Sequence, residues 1–329
     1  MPVIKIAPCS EAPQPTGRKV AVIGSGPAGL AAAGYLACRG HEVVVYDRLP
    51  EPGGMLLFAI PEFRIPKSDV RESIAQLKRL GVRFVVNREV DSSALRELLS
   101  EYDAVLVATG TWKGRKLGIP GEDKHKVYDA LDWISHFMAY KLGYRSDEPP
   151  PLEGDVGIVG AGLTAVDICE LAVYEYKARP IILYRRPMSV APAKHMLKHL
   201  EKLGVRFFEN VIPLEVTGAC CATGVKLVRV KPTTDRKAPT EVIPGSEFEL
   251  PLDALVVAVG LEATPPRLLS ELGVKLNRDG TIAVDENYMT SVKGLFAAGD
   301  VVHGPSNIGL AMRSGRLAAQ SIDAYLCSL

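Results

Sequence analysis

Two glycine clusters hold the chemistry most easily read from this chain. Gly24-Ser-Gly26-Pro27-Ala28-Gly29 and Gly160-Ala-Gly162-Leu163-Thr164-Ala165 each come after an apolar run, and the first opens an alanine- and leucine-rich stretch. In that context the first glycine makes the tight turn and the second lets backbone approach a pyrophosphate. The helix beyond offers unpaired N–H groups and a positive dipole end to phosphate. The chemistry is the holding of a dinucleotide, twice.

The corners beyond the two clusters differ in charge. Asp47 ends the run VVVYD, 23 residues beyond Gly24 (47 − 24), where an acid can accept a hydrogen bond from a ribose 2′-OH. The second copy places Arg185 and Arg186 at that corner, 25 residues beyond Gly160 (185 − 160). A guanidinium matches a 2′-phosphate in charge and shape, whereas a carboxylate repels it. The first site is therefore expected to take FAD and the second NADP(H). A solvated basic turn is the plain alternative for the two arginines.

Strands and helices that carry these residues can be read from the same pattern. Residues 19–47 read strand, turn, helix, strand, with Arg39-Gly40 as a helix end, and residues 156–186 repeat that order. AVLVATG (104–110) and ALVVAVG (254–260) read as buried strands ending in a glycine. The expected fold is α/β with two Rossmann-like dinucleotide-binding domains. After Asp47, Gly53-Gly54 precedes Met55 to Ile60, a run too irregular for helix or strand, which Pro61 and Pro66 break further. Residues 189–205 read as a covering helix, and 231–246 as an exposed hairpin loop.

Bulk composition narrows the partners. The 329 residues are 47% hydrophobic and 23% charged, with a net charge of +1, which gives no reason to expect nucleic acid or an anionic membrane. No apolar run approaches a membrane span and the N-terminus lacks a signal h-region, so a cytoplasmic protein is the default reading. Six cysteines (9, 38, 169, 220, 221 and 327) include no C-x-x-C, which disfavours a disulfide reductase, and Cys38 and Cys169 read as buried thiols. The six histidines form no cluster that would suggest a metal.

IPEFRIPK (60–67), LGIPGED (117–123), GLTAVD (162–167), YRR (184–186) and FAAGD (296–300) occur together and in order. With these motifs the chain, from about residue 18 to its C-terminus, resembles the small (beta) subunit family of glutamate synthase, among the flavoprotein reductases with two dinucleotide domains. The resemblance implies an arm at 1–17, a discontinuous FAD domain at 18–117 and 285–329, and an inserted NAD(P)H domain at 118–284. It implies FAD contacts from Gly24, Gly26, Pro27, Ala28, Gly29, Asp47, Arg48, Gly53, Gly54, Met55, Ile60, Arg64, Val90, Ala108, Thr109, Gly110, Gly299, Asp300, Asn307, Ile308 and Gly309. For NADP(H) the positions are Gly160, Gly162, Leu163, Thr164, Ala165, Arg185, Arg186, Val259 and Gly260.

The implied activity is hydride transfer between NADPH and FAD, which needs no catalytic acid or base. Electrons then pass to a second acceptor, a ferredoxin-like carrier or an iron–sulfur partner such as a glutamate synthase large subunit. The alternative is a non-autonomous electron-transfer subunit; a homodimer is compatible with either. Two departures stand out. Members of the family carry N-terminal cysteines that ligate clusters, whereas Cys9 alone precedes the first strand here, too few thiolates for a cluster. Leu163 also stands where the family usually has asparagine.

Overall fold

The apolar runs flanking both glycine clusters form parallel strands. The structure, a computed structural model, describes residues 6–11, 13–235, 238–267 and 269–329. Its chain divides into two units, one of residues 1–113 with 261–329 and one of residues 114–260.

In the first unit a parallel sheet orders its strands Leu295–Ala297, Ala104–Val107, Lys19–Ile23, Glu42–Tyr46 and Arg83–Val85. Ala104–Val107 is buried throughout, as a central strand covered on both faces must be. Helix Pro27–Ala37 is nearly all alanine, glycine and leucine, and it packs on the last helix, Ile308–Cys327. The contact is close because Gly315 lies against the Ala28 carbonyl, with Ser314 and Ala318 buried beside it. Small residues on both helices permit that approach.

The second unit repeats the plan. Its parallel sheet orders Val127–Asp129, Ala254–Val257, Asp155–Val159, Arg179–Tyr184 and Arg206–Glu209. An antiparallel meander of Val211–Thr217, Gly224–Arg229 and Phe248–Pro251 is added to it. The α/β fold with two Rossmann-like units is as expected.

Several expectations change. Residues 261–284, assigned to the inserted domain, lie in the first unit: Leu269, Val274 and Ile282 share a core with Leu95, Val105 and Leu295. Met55–Phe58 forms a short helix, with Leu56, Leu57 and Phe58 buried. The covering helix is only Leu197–Lys202, preceded by two 3₁₀ turns at Met188–Val190 and Lys194–Met196, because Pro192 interrupts the run. Cys38 is not a free thiol. It pairs with Cys9 across a Cα–Cα distance of 5.7 Å, tying the N-terminal arm to the first helix, while Ile6 and Ala7 are buried in the same unit.

Candidate functional site

The first glycine corner is built by backbone. Gly24 N–H donates to the Tyr46 carbonyl at 2.8 Å, and Ala108 N–H donates to the Ile23 carbonyl at 2.8 Å. Gly24 has φ +103°, and a Cβ on it would run into the Ala108 carbonyl oxygen. The second corner repeats these relations. Gly160 N–H donates to Leu183 O at 3.0 Å, Ala258 N–H donates to Val159 O at 2.8 Å, and a Cβ on Gly160 would run into Ala258 O. Only glycine fits either turn.

Gly26 and Gly162 are the N-caps of helices Pro27–Ala37 and Leu163–Tyr176, and neither helix start is closed by a side-chain hydrogen bond. Open space lies where either glycine would carry a Cβ. First-turn N–H groups beside such space fit a pyrophosphate. Each unit, taken alone, presents an uncapped helix start beside open space at its glycine cluster.

Asp47 is buried just beyond its strand. Its Oδ2 accepts from Ser25 N–H at 2.7 Å and from Ser25 Oγ at 2.5 Å, while Oδ1 accepts from Leu49 N–H at 2.8 Å. Ser25 Oγ in turn accepts from Gly53 N–H at 3.1 Å. One carboxylate thus fixes the first cluster to the Gly53-Gly54 turn, and Gly54 comes close enough that its Cβ would lie 2.7 Å from Gly26 Cα. A carboxylate oxygen has two acceptor directions, so Oδ1 retains capacity for a ribose hydroxyl.

The other first-unit positions sort by environment. Thr109 Oγ1 donates to Thr264 O at 2.7 Å, and Thr264 Oγ1 donates to Gly110 O at 3.1 Å, fixing the loop after Ala108. Arg48 lies over the Trp112 ring at 5.4 Å. Asp300 begins a short helix after Gly299 and accepts from Ser306, at Oδ1 from Oγ (2.6 Å) and at Oδ2 from N–H (3.1 Å). Gly299 N–H donates to Ser314 Oγ at 2.9 Å. Asn307 caps the last helix, accepting from Leu310 N–H at 3.0 Å, with Ile308 half-buried and Gly309 exposed. Met55, Ile60 and Arg64 are half-buried, and Val90 packs into the core with Ile23 and Val107.

Sequence reasoning missed Lys67 and Trp112. Lys67 is buried, and its ammonium donates to Leu56 O at 2.7 Å and to Ile60 O, holding the loop over residues 56–60. The lysine closing IPEFRIPK was the available signal. Trp112, directly after the Ala108-Thr109-Gly110 turn, receives no hint from periodicity.

In the second unit the two arginines do not act as a pair. Arg185 is exposed, whereas Arg186 is 3% exposed and donates to Ala238 O at 3.0 Å. Only Arg185 faces solvent at the corner where a 2′-phosphate is expected, and Arg186 anchors the loop carrying Ala238. Leu163 is exposed at the first turn of its helix, Thr164 is half-buried and Ala165 buried, and Val259 and Gly260 are exposed after their strand.

Residues 18–315 match the model of the pyridine nucleotide-disulphide oxidoreductase family. The chain belongs to that family. This oxidoreductase is 38% identical to the glutamate synthase [NADPH] small chain of Azospirillum brasilense over 322 residues, spanning 94% of its own length and 67% of that protein's. It is 35% identical to the Escherichia coli small chain over 326 residues, covering 94% of itself and 69% of the relative. Among solved structures, FprA of Mycobacterium tuberculosis in complex with NADPH has a TM-score of 0.81 at 19% identity, covering 96% of this oxidoreductase and 85% of FprA. Thioredoxin reductase of T. acidophilum has a TM-score of 0.68 at 23% identity, covering 94% and 99%. Those two likenesses are of fold. This member of the family is a flavoprotein oxidoreductase whose cofactors are FAD and NADP(H). Among the described residues, no helix is long and apolar enough to cross a membrane, and no group of three or more His, Cys, Asp or Glu could hold a metal ion.

Proposed function

We propose that the first unit holds FAD, that residues 114–260 hold NADP(H), and that the protein oxidises NADPH and hands the electrons to a second acceptor. The observation that carries this reading is the duplicated corner with opposite charge, Asp47 beyond Gly24 and Arg185 beyond Gly160. FAD, held by the Gly24–Gly29 turn with Asp47, would supply a hydride acceptor for the nicotinamide and an outlet for electrons to the second acceptor.

The chain's own residues bind and orient. First-turn N–H groups at Gly26 and Gly162 receive the two pyrophosphates, and Asp47 sets the shape of the first cradle through Ser25. Arg185 selects the phosphorylated adenosine. Lys67 holds the carbonyls of Leu56 and Ile60 inward, keeping the loop expected over the flavin in one conformation. No side chain needs to move a proton for the hydride step.

The acceptor we favour is an iron–sulfur protein, either a ferredoxin-like carrier or a larger partner subunit. The names of the relatives, small chains of glutamate synthase, support the second of these. Steady-state turnover of the isolated chain with NADPH and a viologen dye separates the readings. Sustained turnover marks an autonomous reductase; flavin bound without turnover marks a subunit that works only with its partner.

A further inference from the structure

Cys220 and Cys221 lie in the turn between the second unit's strands Val211–Thr217 and Gly224–Arg229. Successive side chains of extended backbone point to opposite faces. Here the two Sγ atoms stand 3.1 Å apart. The turn that carries them is tight: Gly218 has φ +112°, and a Cβ there would run into the Cys221 carbonyl. On the other side, His125 N–H donates to Cys220 O at 3.2 Å and Ala222 N–H donates to His125 O at 2.8 Å. The pair is clamped on both flanks, with Cys220 exposed and Cys221 half-buried.

Three uses of two thiols compete. As a disulfide the pair is poor, because adjacent Cα atoms across a trans peptide are about 3.8 Å apart and ordinary disulfides span roughly 4.4–6.8 Å. Cys9 and Cys38, at 5.7 Å, meet that requirement. As a metal site it lacks further protein ligands among the described residues. Geometry decides the remainder. One centre bonded to both sulfurs at about 2.3 Å, with the sulfurs 3.1 Å apart, subtends an angle of about 85°. A linear ion would need sulfurs about 4.6 Å apart and a tetrahedral one about 3.8 Å at the same bond length. The narrow angle suits a pyramidal trivalent centre.

We propose that Cys220 and Cys221 form a chelating site for a monosubstituted trivalent arsenical, R–As(OH)₂. Two As–S bonds form, two As–O bonds and two S–H bonds break, and two water molecules leave, with no change of oxidation state. The hydrogen bond to Cys220 pushes the Cys221 thiol up from its ordinary range, so Cys221 enters as a thiol whose proton departs with a hydroxyl group.

The test exposes the full chain, with its Cys9–Cys38 disulfide intact, to phenylarsine oxide. Intact-mass measurement is expected to show one phenylarsenic adduct and the loss of two titratable thiols. Cys220→Ser and Cys221→Ser, with unchanged melting curves, should each weaken uptake roughly 100-fold or more, since the second bond depends on proximity. Cys327→Ser, which removes an exposed thiol elsewhere, should bind as the parent does. No adduct on the parent, an adduct that survives in the double serine variant, or a two-hydrogen mass loss marking a Cys220–Cys221 disulfide would each overturn the proposal.

Discussion

Among single residues, the proposed reading makes the placement of charge decide nucleotide choice. Arg185 is the exposed member of its pair, so Arg185→Ala should weaken NADPH binding by tenfold or more, on the order of the 1.5–3 kcal/mol a charged hydrogen bond contributes, and leave NADH unchanged. Arg186→Ala should instead lower the melting temperature, because it removes a buried guanidinium that supports Ala238. Equilibrium titration of each variant with both nucleotides, beside a thermal melt, separates these roles. Equal losses for NADPH and NADH in Arg185→Ala would contradict the assignment. Lys67→Met should loosen flavin retention, since the Leu56 and Ile60 carbonyls lose their donor inside the protein, at a cost of roughly 1–3 kcal/mol. Flavin release on gel filtration measures it.

A second single-residue effect concerns pH. Burial pushes the Asp129 carboxyl above its usual range, against the N–H groups of Leu131 and Asp132 that favour its charged form. An acid with a raised folded-state pKa binds protons more tightly when folded, so its contribution to stability falls as pH rises past the unfolded value of about 3.9. Asp129→Asn abolishes that loss. Its stability relative to the parent should increase from about pH 3 to pH 7, measured by denaturant unfolding at each pH; parallel curves would contradict it.

Elements impose the next constraint. The first and last helices approach through Gly315 and Ala28, so Gly315→Val should force them apart, at a cost on the order of 1–3 kcal/mol for overpacking. Thermal melts with flavin absorbance should show lowered stability and lost flavin together. These elements also show what a sequence conveys. The two glycine corners were legible because strand, turn, helix and the charged corner residue lie within some 30 residues, and their hydrogen bonds coincide between copies. Residues 261–284 were misassigned because only the distant partners Leu95 and Val105 place Leu269 and Ile282 in the first unit's core. The Cys9–Cys38 pairing needs the arm laid along the first helix, and Arg186's burial depends on a loop 52 residues away. Local pattern carries neither.

As a whole molecule, the chain uses one sheet-and-glycine-corner plan twice with the corner charge reversed, and the proposed function makes that charge the selector. On this reading the first unit's FAD is reduced by a nucleotide whose 2′-phosphate is read by the second. The decisive experiment records the flavin absorbance of the purified protein anaerobically, by stopped flow, with NADPH and with NADH. Rapid bleaching by NADPH is expected, with NADH at least about tenfold less effective at subsaturating concentration, as one charged hydrogen bond would give. Equal bleaching by both, or faster bleaching by NADH, would contradict the reading of Arg185, and a protein purified without flavin would contradict the reading of the first site.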